Sequence, residues 1–88
     1  MNTEYKYSYN IKPETDEEAF FETCKTIEKG LFGLKKEKLL VDVDGTFIQI
    51  YYMGKEEKIV VYDDYDVDAV YVNSNVDLEE VLGLKSIW

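Results

Sequence analysis

An Asp-Gly dipeptide at residues 44–45 constrains the fold more than any other feature of the sequence, because it lies between two apolar runs. Residues 39–43 and 46–53 both have the β-branched and aromatic composition that is typical of strands. Asp-Gly between two such runs is the strongest short signal for a β-hairpin closed by a two-residue type I′ turn. A loop of that length predicts an antiparallel pair in which Val41 faces Ile48.

Three further segments have strand patterns. Residues 5–11 alternate tyrosine or isoleucine with polar residues, which is the period of a strand with one buried face. Pro13 ends this strand because proline has no N–H to donate to a ladder. Residues 58–62 and 67–72 are short, apolar and bounded by acidic turns, so each predicts another strand.

A long helix is predicted over residues 16–29, where apolar residues recur at helical spacing. Thr15 and Glu18 have the spacing of a capping box, so Thr15 is the expected N-cap. Gly30 is expected at C′, where a left-handed residue ends many helices.

A short C-terminal helix is predicted over residues 78–82, because Asp77 and Glu80 repeat the capping spacing. Residues 31–38 are rich in lysine and glycine and predict a solvated connector. The predicted order is β-α-β-β-β-β-α. It indicates a single α+β domain over residues 1–88, with a mostly antiparallel sheet, the long helix packed on one face and the short helix at the C-terminus.

The sheet is expected to be apolar on both faces. Tyr51 and Tyr52 are adjacent, and successive side chains of a strand point to opposite faces. A face that the helix leaves open is a candidate surface for self-association, so a homodimer is predicted.

Composition argues against the common kinds of catalysis. The chain has no His and no Arg, and its formal charge is 10 minus 19, or −9. Without His there is no imidazole for general acid–base work or for activating the single cysteine, Cys24. Cys24 lies on the apolar side of the predicted helix and is interpreted as a small buried hydrophobe in a reducing, cytoplasmic protein. We therefore expect no enzyme activity, no cofactor, no metal, no signal peptide and no membrane span.

One motif is similar to an enzyme family. The sequence LLVDVDGT at residues 39–46 resembles the first motif of haloacid-dehalogenase-like phosphatases, and residues 59–64 resemble the last metal-binding motif of that family. The resemblance implies that Asp42 is a nucleophile, Asp44 an acid/base and Mg²⁺ the cofactor. That family joins these strands in a parallel sheet through helical crossovers of about a dozen or more residues. The 14 residues from Gly45 to Lys58 contain another predicted strand, so we reject the phosphatase interpretation.

The acidic run at residues 63–68 also invites comparison with a calcium loop. Alternating aspartates supply oxygen ligands, but the run lacks the glycine and the terminal glutamate that an EF-hand loop requires at its sixth and twelfth positions. A dedicated calcium site is not predicted.

The interval from Ile59 to Gly83 contains seven acids and no lysine. Such a surface repels nucleic acid and acidic membranes and attracts basic surfaces. Aspartates two apart on a strand lie about 6.6–6.8 Å apart, a spacing comparable to that of a phosphate chain. Candidate partner-binding residues, including one tyrosine that adds a planar contact, are Asp63, Asp64, Tyr65, Asp66, Asp68, Asp77, Glu79 and Glu80.

In length, acidity and mixed α/β composition the chain resembles small phage-encoded DNA-mimic inhibitor proteins. The resemblance implies an interaction module of viral origin that occupies the basic DNA-binding surface of a host protein and inhibits it. The alternative is a small structural or regulatory dimerisation domain whose acids only solvate the surface.

Overall fold

The computed structural model describes residues 5–87. Within this range the chain forms six strands and two helices. The elements are β1 (Tyr7–Lys12), α1 (Glu17–Gly30), β2 (Leu34–Lys36), β3 (Leu40–Val41), β4 (Phe47–Met53), β5 (Glu57–Asp64), β6 (Ala69–Ser74) and α2 (Glu79–Leu82).

All strands belong to one antiparallel sheet in the order β1-β6-β5-β4-β2, and β3 also pairs with β4. The predicted α+β class and element order are confirmed, with one strand, β2, in addition to the five predicted. The C-terminal tail meets the sheet, because the N–H of Ile87 donates to the carbonyl of Ser8 (2.8 Å) on the outer edge of β1. Trp88 lies outside the described residues. Neither helix of the described chain is long and apolar enough to cross a membrane.

The long helix begins one residue later than the capping box predicts. Asp16 is the N-cap, and its side chain accepts a hydrogen bond from the N–H of Ala19 (3.1 Å). Gly30 is the last helical residue and not C′. A Cβ at Gly30 would lie 2.8 Å from Cγ1 of Val81, so this glycine permits the close approach of α2.

The core lies between α1 and the sheet, and Phe20, Cys24 and Ile27 line the buried side of the helix. Cys24 is a free, buried thiol, which confirms its interpretation as a buried side chain, and this burial raises the pKa of the thiol to about 11. From the sheet, the core residues are Tyr9, Tyr51, Ile59, Val61, Val70 and Val72.

The solvated connector predicted over residues 31–38 is wrong, because this segment contains β2. The N–H of Glu37 donates to the carbonyl of Ile50 (2.9 Å), and the Gln49 amide donates to the carbonyl of Glu37 (2.6 Å). β2 is an edge strand, and exposed lysines at such an edge discourage pairing with other chains. The lysine run therefore indicated a loop, and the strand is recognised only from its pairing with β4.

The predicted hairpin forms, but its register is shifted by one residue. Val41 pairs with Phe47 and not with Ile48. The N–H of Gly45 donates to the carbonyl of Asp42 (3.0 Å), and Gly45 alone in this turn has a positive φ, +95°. A type I′ turn needs positive φ at both central residues, so the turn is instead a longer loop with glycine at its left-handed position.

The acidic turn after β5 also differs from the prediction. β5 continues through Asp64, so the turn is residues 65–68 and β6 runs over Ala69–Ser74 instead of residues 67–72. The predicted second capping box is absent from the described chain: Leu78 is the N-cap of α2 and makes no side-chain cap hydrogen bond. Gly83, with φ +70°, ends that helix.

Tyr9 joins the sheet to the start of α2. Its ring is buried, and its hydroxyl accepts a hydrogen bond from the N–H of Leu78 (2.7 Å). Tyr9→Phe would leave this buried N–H without its partner, which costs about 1–3 kcal/mol. We expect urea denaturation to show that loss with an unchanged slope. A change in the free energy of unfolding below about 0.3 kcal/mol would mean that a water molecule accepts the hydrogen bond from Leu78 as well as the hydroxyl does.

Candidate functional site

Asp63 is fully buried, so it is not part of an exposed acidic rim as the sequence predicted. It lies on the helix-facing side of β5, and its Oδ1 accepts a hydrogen bond from the N–H of Asp16 (2.9 Å). A carboxylate at a helix N-terminus is favoured by the helix dipole. Its Oδ2 has no hydrogen-bond partner among the described residues. Asp63 therefore positions α1 and cannot offer its carboxylate to another protein in this structure.

Asp64 points to the opposite face of the sheet, because it follows Asp63 on the same strand. Its Oδ2 accepts a hydrogen bond from the hydroxyl of Tyr71 (2.6 Å), and its Oδ1 accepts one from the N–H of Asp66 (2.9 Å). Burial, and then the hydrogen bond to Asp64, raise the pKa of Tyr71. The half-buried Asp64 carboxylate is thus held at the start of the turn.

Tyr65 connects the β5–β6 turn to the β3–β4 loop. Its N–H donates to Oγ1 of Thr46 (3.0 Å), and its ring lies over Gly45, 3.8 Å from where a Cβ would be. About half of the side chain, 48%, is exposed. The two loops therefore form one surface.

Asp68 joins the same turn to the start of the helix. Its Oδ1 accepts hydrogen bonds from the N–H (3.0 Å) and the hydroxyl (3.3 Å) of Thr15. Its φ is +54°, a conformation that Asp and Asn tolerate better than most residues. Asp66 lies in the chain between Tyr65 and Asp68, which make these hydrogen bonds, and it is exposed.

These contacts bring acids from three chain segments, residues 14–16, 42–44 and 64–68, to one end of the molecule, which we call the acidic pole. The register of β4 with β5 places the β3–β4 loop beside the end of β5, since Phe47 pairs with Asp63. The acidic pole consists of Glu14, Asp16, Asp42, Asp44, Asp64, Asp66 and Asp68. Within residues 5–87, Lys12 is the one lysine that forms ion pairs with these acids, bridging Glu14 and Asp16.

Backbone hydrogen bonds fix several of these carboxylates. Oδ1 of Asp42 accepts from the N–H of Val43 (2.7 Å), and Oδ1 of Asp44 accepts from the N–H of Thr46 (2.9 Å). That second contact lowers the pKa of Asp44, and the hydrogen bond from Lys12 lowers the pKa of Asp16. These carboxylates are preorganised, so a cationic partner meets them with a small entropic cost.

The structure does not bring the acids of α2 to the acidic pole. Asp77, Glu79 and Glu80 follow the far end of β6, while the 65–68 turn precedes its start. All three are exposed, and Oδ1 of Asp77 accepts from the N–H of Glu79 (2.9 Å). Six strand residues, at about 3.3 Å each, separate the two acidic groups.

The predicted phosphate-like ladder of aspartates does not form either. Asp63 and Asp64 occupy opposite faces of β5, whereas Asp66 and Asp68 lie in a turn. The aspartates of residues 63–68 are therefore not spaced at regular strand intervals along one face.

Sequence reasoning missed Asp42 and Asp44 as members of the same surface. It treated them only as a phosphatase-like motif, and the structure places them in a hairpin of consecutive antiparallel strands, unlike the parallel sheet of that family. Among residues 5–87, no group of three or more acidic or thiol side chains is arranged to hold a metal ion. Comparison of the chain with protein-family models, curated proteins and solved structures found no match.

Proposed function

We propose that this chain is an acidic, cytoplasmic protein-interaction module whose acidic pole occupies the basic, nucleic-acid-binding surface of a partner protein and so inhibits it. The observation that carries the proposal is the convergence of acids from three chain segments at one end of the fold. Like charges placed together raise the energy of the folded state, so their convergence is better explained by a use than by solubility.

The concentration of negative charge at one end of the molecule supports an inhibitor that binds through electrostatic attraction. Seven carboxylates and Lys12 give the acidic pole a formal charge of 1 minus 7, or −6, within a chain of −9. A concentrated potential of this kind steers a basic partner and speeds its association. The class resemblance to phage-encoded DNA mimics agrees with this role and suggests a host protein as the target.

Capture from cell extract on the immobilised chain tests the proposal. At about 0.05 M salt we expect retention of a basic nucleic-acid-binding protein, and at about 0.5 M salt we expect its release, because screening shortens the range of the interaction. Added duplex DNA should compete for the retained protein. The proposed function would be contradicted if the retained proteins were released neither by higher salt nor by added DNA.

A dimerisation domain remains the second candidate, and the sheet face opposite α1 favours it. The rings of Tyr62 and Tyr71 stack there with centroids 4.6 Å apart, beside the half-buried Ile48 and Ile50. Association through this face would bury apolar surface and would therefore be insensitive to salt, unlike the proposed interaction.

A further inference from the structure

An apolar patch lies next to the acidic pole, where α1 crosses the edge of the sheet. It consists of Phe21, Val41 and Phe47. The rings of Phe21 and Phe47 are 5.7 Å apart, and Phe47 is the register partner of Val41, so the three side chains are contiguous. Phe21 is 42% exposed and Val41 is 60% exposed. The patch is thus open to solvent.

The core does not account for this exposure. Phe20, the neighbour of Phe21 on the helix, is fully buried and already contacts Phe47, with ring centroids 5.6 Å apart. β3 is two residues long and no strand of the described chain pairs with its outer edge, and most of Val41 stays exposed. Exposed apolar patches with a polar rim are typical of protein-binding sites.

The rim of the apolar patch is acidic. Glu17 and Glu18 precede Phe21 by four and three residues on the helix, so they lie on the same side, and both are exposed. Asp42 directly follows Val41 and belongs to the acidic pole. On the other side, the exposed Lys25, four residues after Phe21, forms an ion pair with Glu22 (4.0 Å). The surface therefore combines an apolar centre with carboxylates on the side of Glu17, Glu18 and Asp42, which is complementary to an apolar side chain flanked by cations.

We propose that the apolar patch receives a single aliphatic or aromatic side chain from a basic polypeptide segment, whose Lys and Arg residues contact the surrounding carboxylates. This inference rests on the proposed function and names the chemistry of the partner: a protein segment with an apolar anchor. Burial of the apolar anchor side chain contributes most of the affinity, and the complementary charges speed association.

Two synthetic peptides test this chemistry. Both are about ten residues long and rich in Lys and Arg, and they differ only at the centre, where one has Leu and the other Ser. We expect the Leu peptide to bind the chain at least about tenfold more tightly, measured by fluorescence anisotropy, because burying such a side chain contributes about 1.4 kcal/mol or more. Equal affinities would overturn the inference but leave the proposed function intact, whereas no binding of either peptide would contradict the proposed function itself.

Matched variants locate the anchor site. Phe21→Gln, which keeps a good helix former, should abolish the preference for the Leu peptide. Phe32→Gln removes an even more exposed phenylalanine, 96% exposed, from the α1–β2 loop and should leave the preference unchanged. Loss of the preference in Phe32→Gln alone would overturn the assignment.

A second copy of the chain is the competing occupant, since Phe32 lies in the sequence between Lys29 of α1 and Lys35 of β2. Sedimentation showing a dimer that Phe21→Gln dissociates would also overturn the assignment.

Discussion

Phe20→Ala is expected to lower the free energy of unfolding by about 3–5 kcal/mol, the usual cost of removing a fully buried aromatic ring. Phe20 has no exposed surface, and its ring meets those of Phe21 and Phe47 at centroid distances of 5.0 and 5.6 Å. Of the two α1 phenylalanines that contact Phe47, Phe20 is the one that is fully buried. A domain of this size has about 5–15 kcal/mol of stability in total, so the variant should lie close to the folding limit.

Phe21→Ala is the matched control, because it removes the same ring from the next position on the helix. The Phe21 ring is 42% exposed, so we expect its loss to cost less than about 1.5 kcal/mol. Urea denaturation of the two variants measures the difference directly. Equal losses would mean that α1 does not pack on the sheet through the face that contains Phe20.

The hairpin shows how far local sequence determined this fold. Asp-Gly at residues 44–45 correctly predicted a turn between antiparallel strands, because glycine there needs a positive φ. It did not determine the loop length, since Asp42 and Thr46 close a longer loop by a backbone hydrogen bond of 2.9 Å. A change of one residue in the loop shifts every pair in the register.

Pairing across the sheet explains the missed strand as well. Leu34–Lys36 has too few apolar residues to predict a strand by itself, and its lysines indicate solvent. It becomes β2 because β4 offers an unpaired edge at Tyr51 and Met53. The sequence of residues 34–36 alone does not indicate that they pair with a strand so far along the chain.

The candidate site was predicted only in part, for a similar reason. The acidic run was evident in the sequence, but the burial of Asp63 depends on α1 lying over the end of β5. Likewise, Asp42 and Asp66 are far apart in sequence and share a surface because β4 pairs with β5 and the N–H of Tyr65 donates to Oγ1 of Thr46. Distinguishing a structural acid from an exposed one required the tertiary fold.

Neutralising three exposed acids of the acidic pole is expected to cause the largest loss of binding. The variant Asp42→Asn, Asp44→Asn, Asp66→Asn retains an Oδ1 acceptor at each position, so the hydrogen bonds to Val43 and Thr46 persist. Its formal charge is −9 plus 3, or −6. If each carboxylate contributes about 1 kcal/mol at low salt, Kd for a basic partner rises about 100-fold.

The control removes the same charge from the other end of the molecule, through Asp77→Asn, Glu79→Gln and Glu80→Gln. Both variants have a formal charge of −6, so net charge alone predicts equal binding. The decisive measurement is the Kd of each variant for the Lys/Arg-rich peptide with central Leu, at about 0.05 M salt. The acidic pole predicts a rise of about 100-fold for the first variant and less than about threefold for the second. Equal changes in the two variants would show that the acids act only through net charge and would contradict a binding site at the acidic pole.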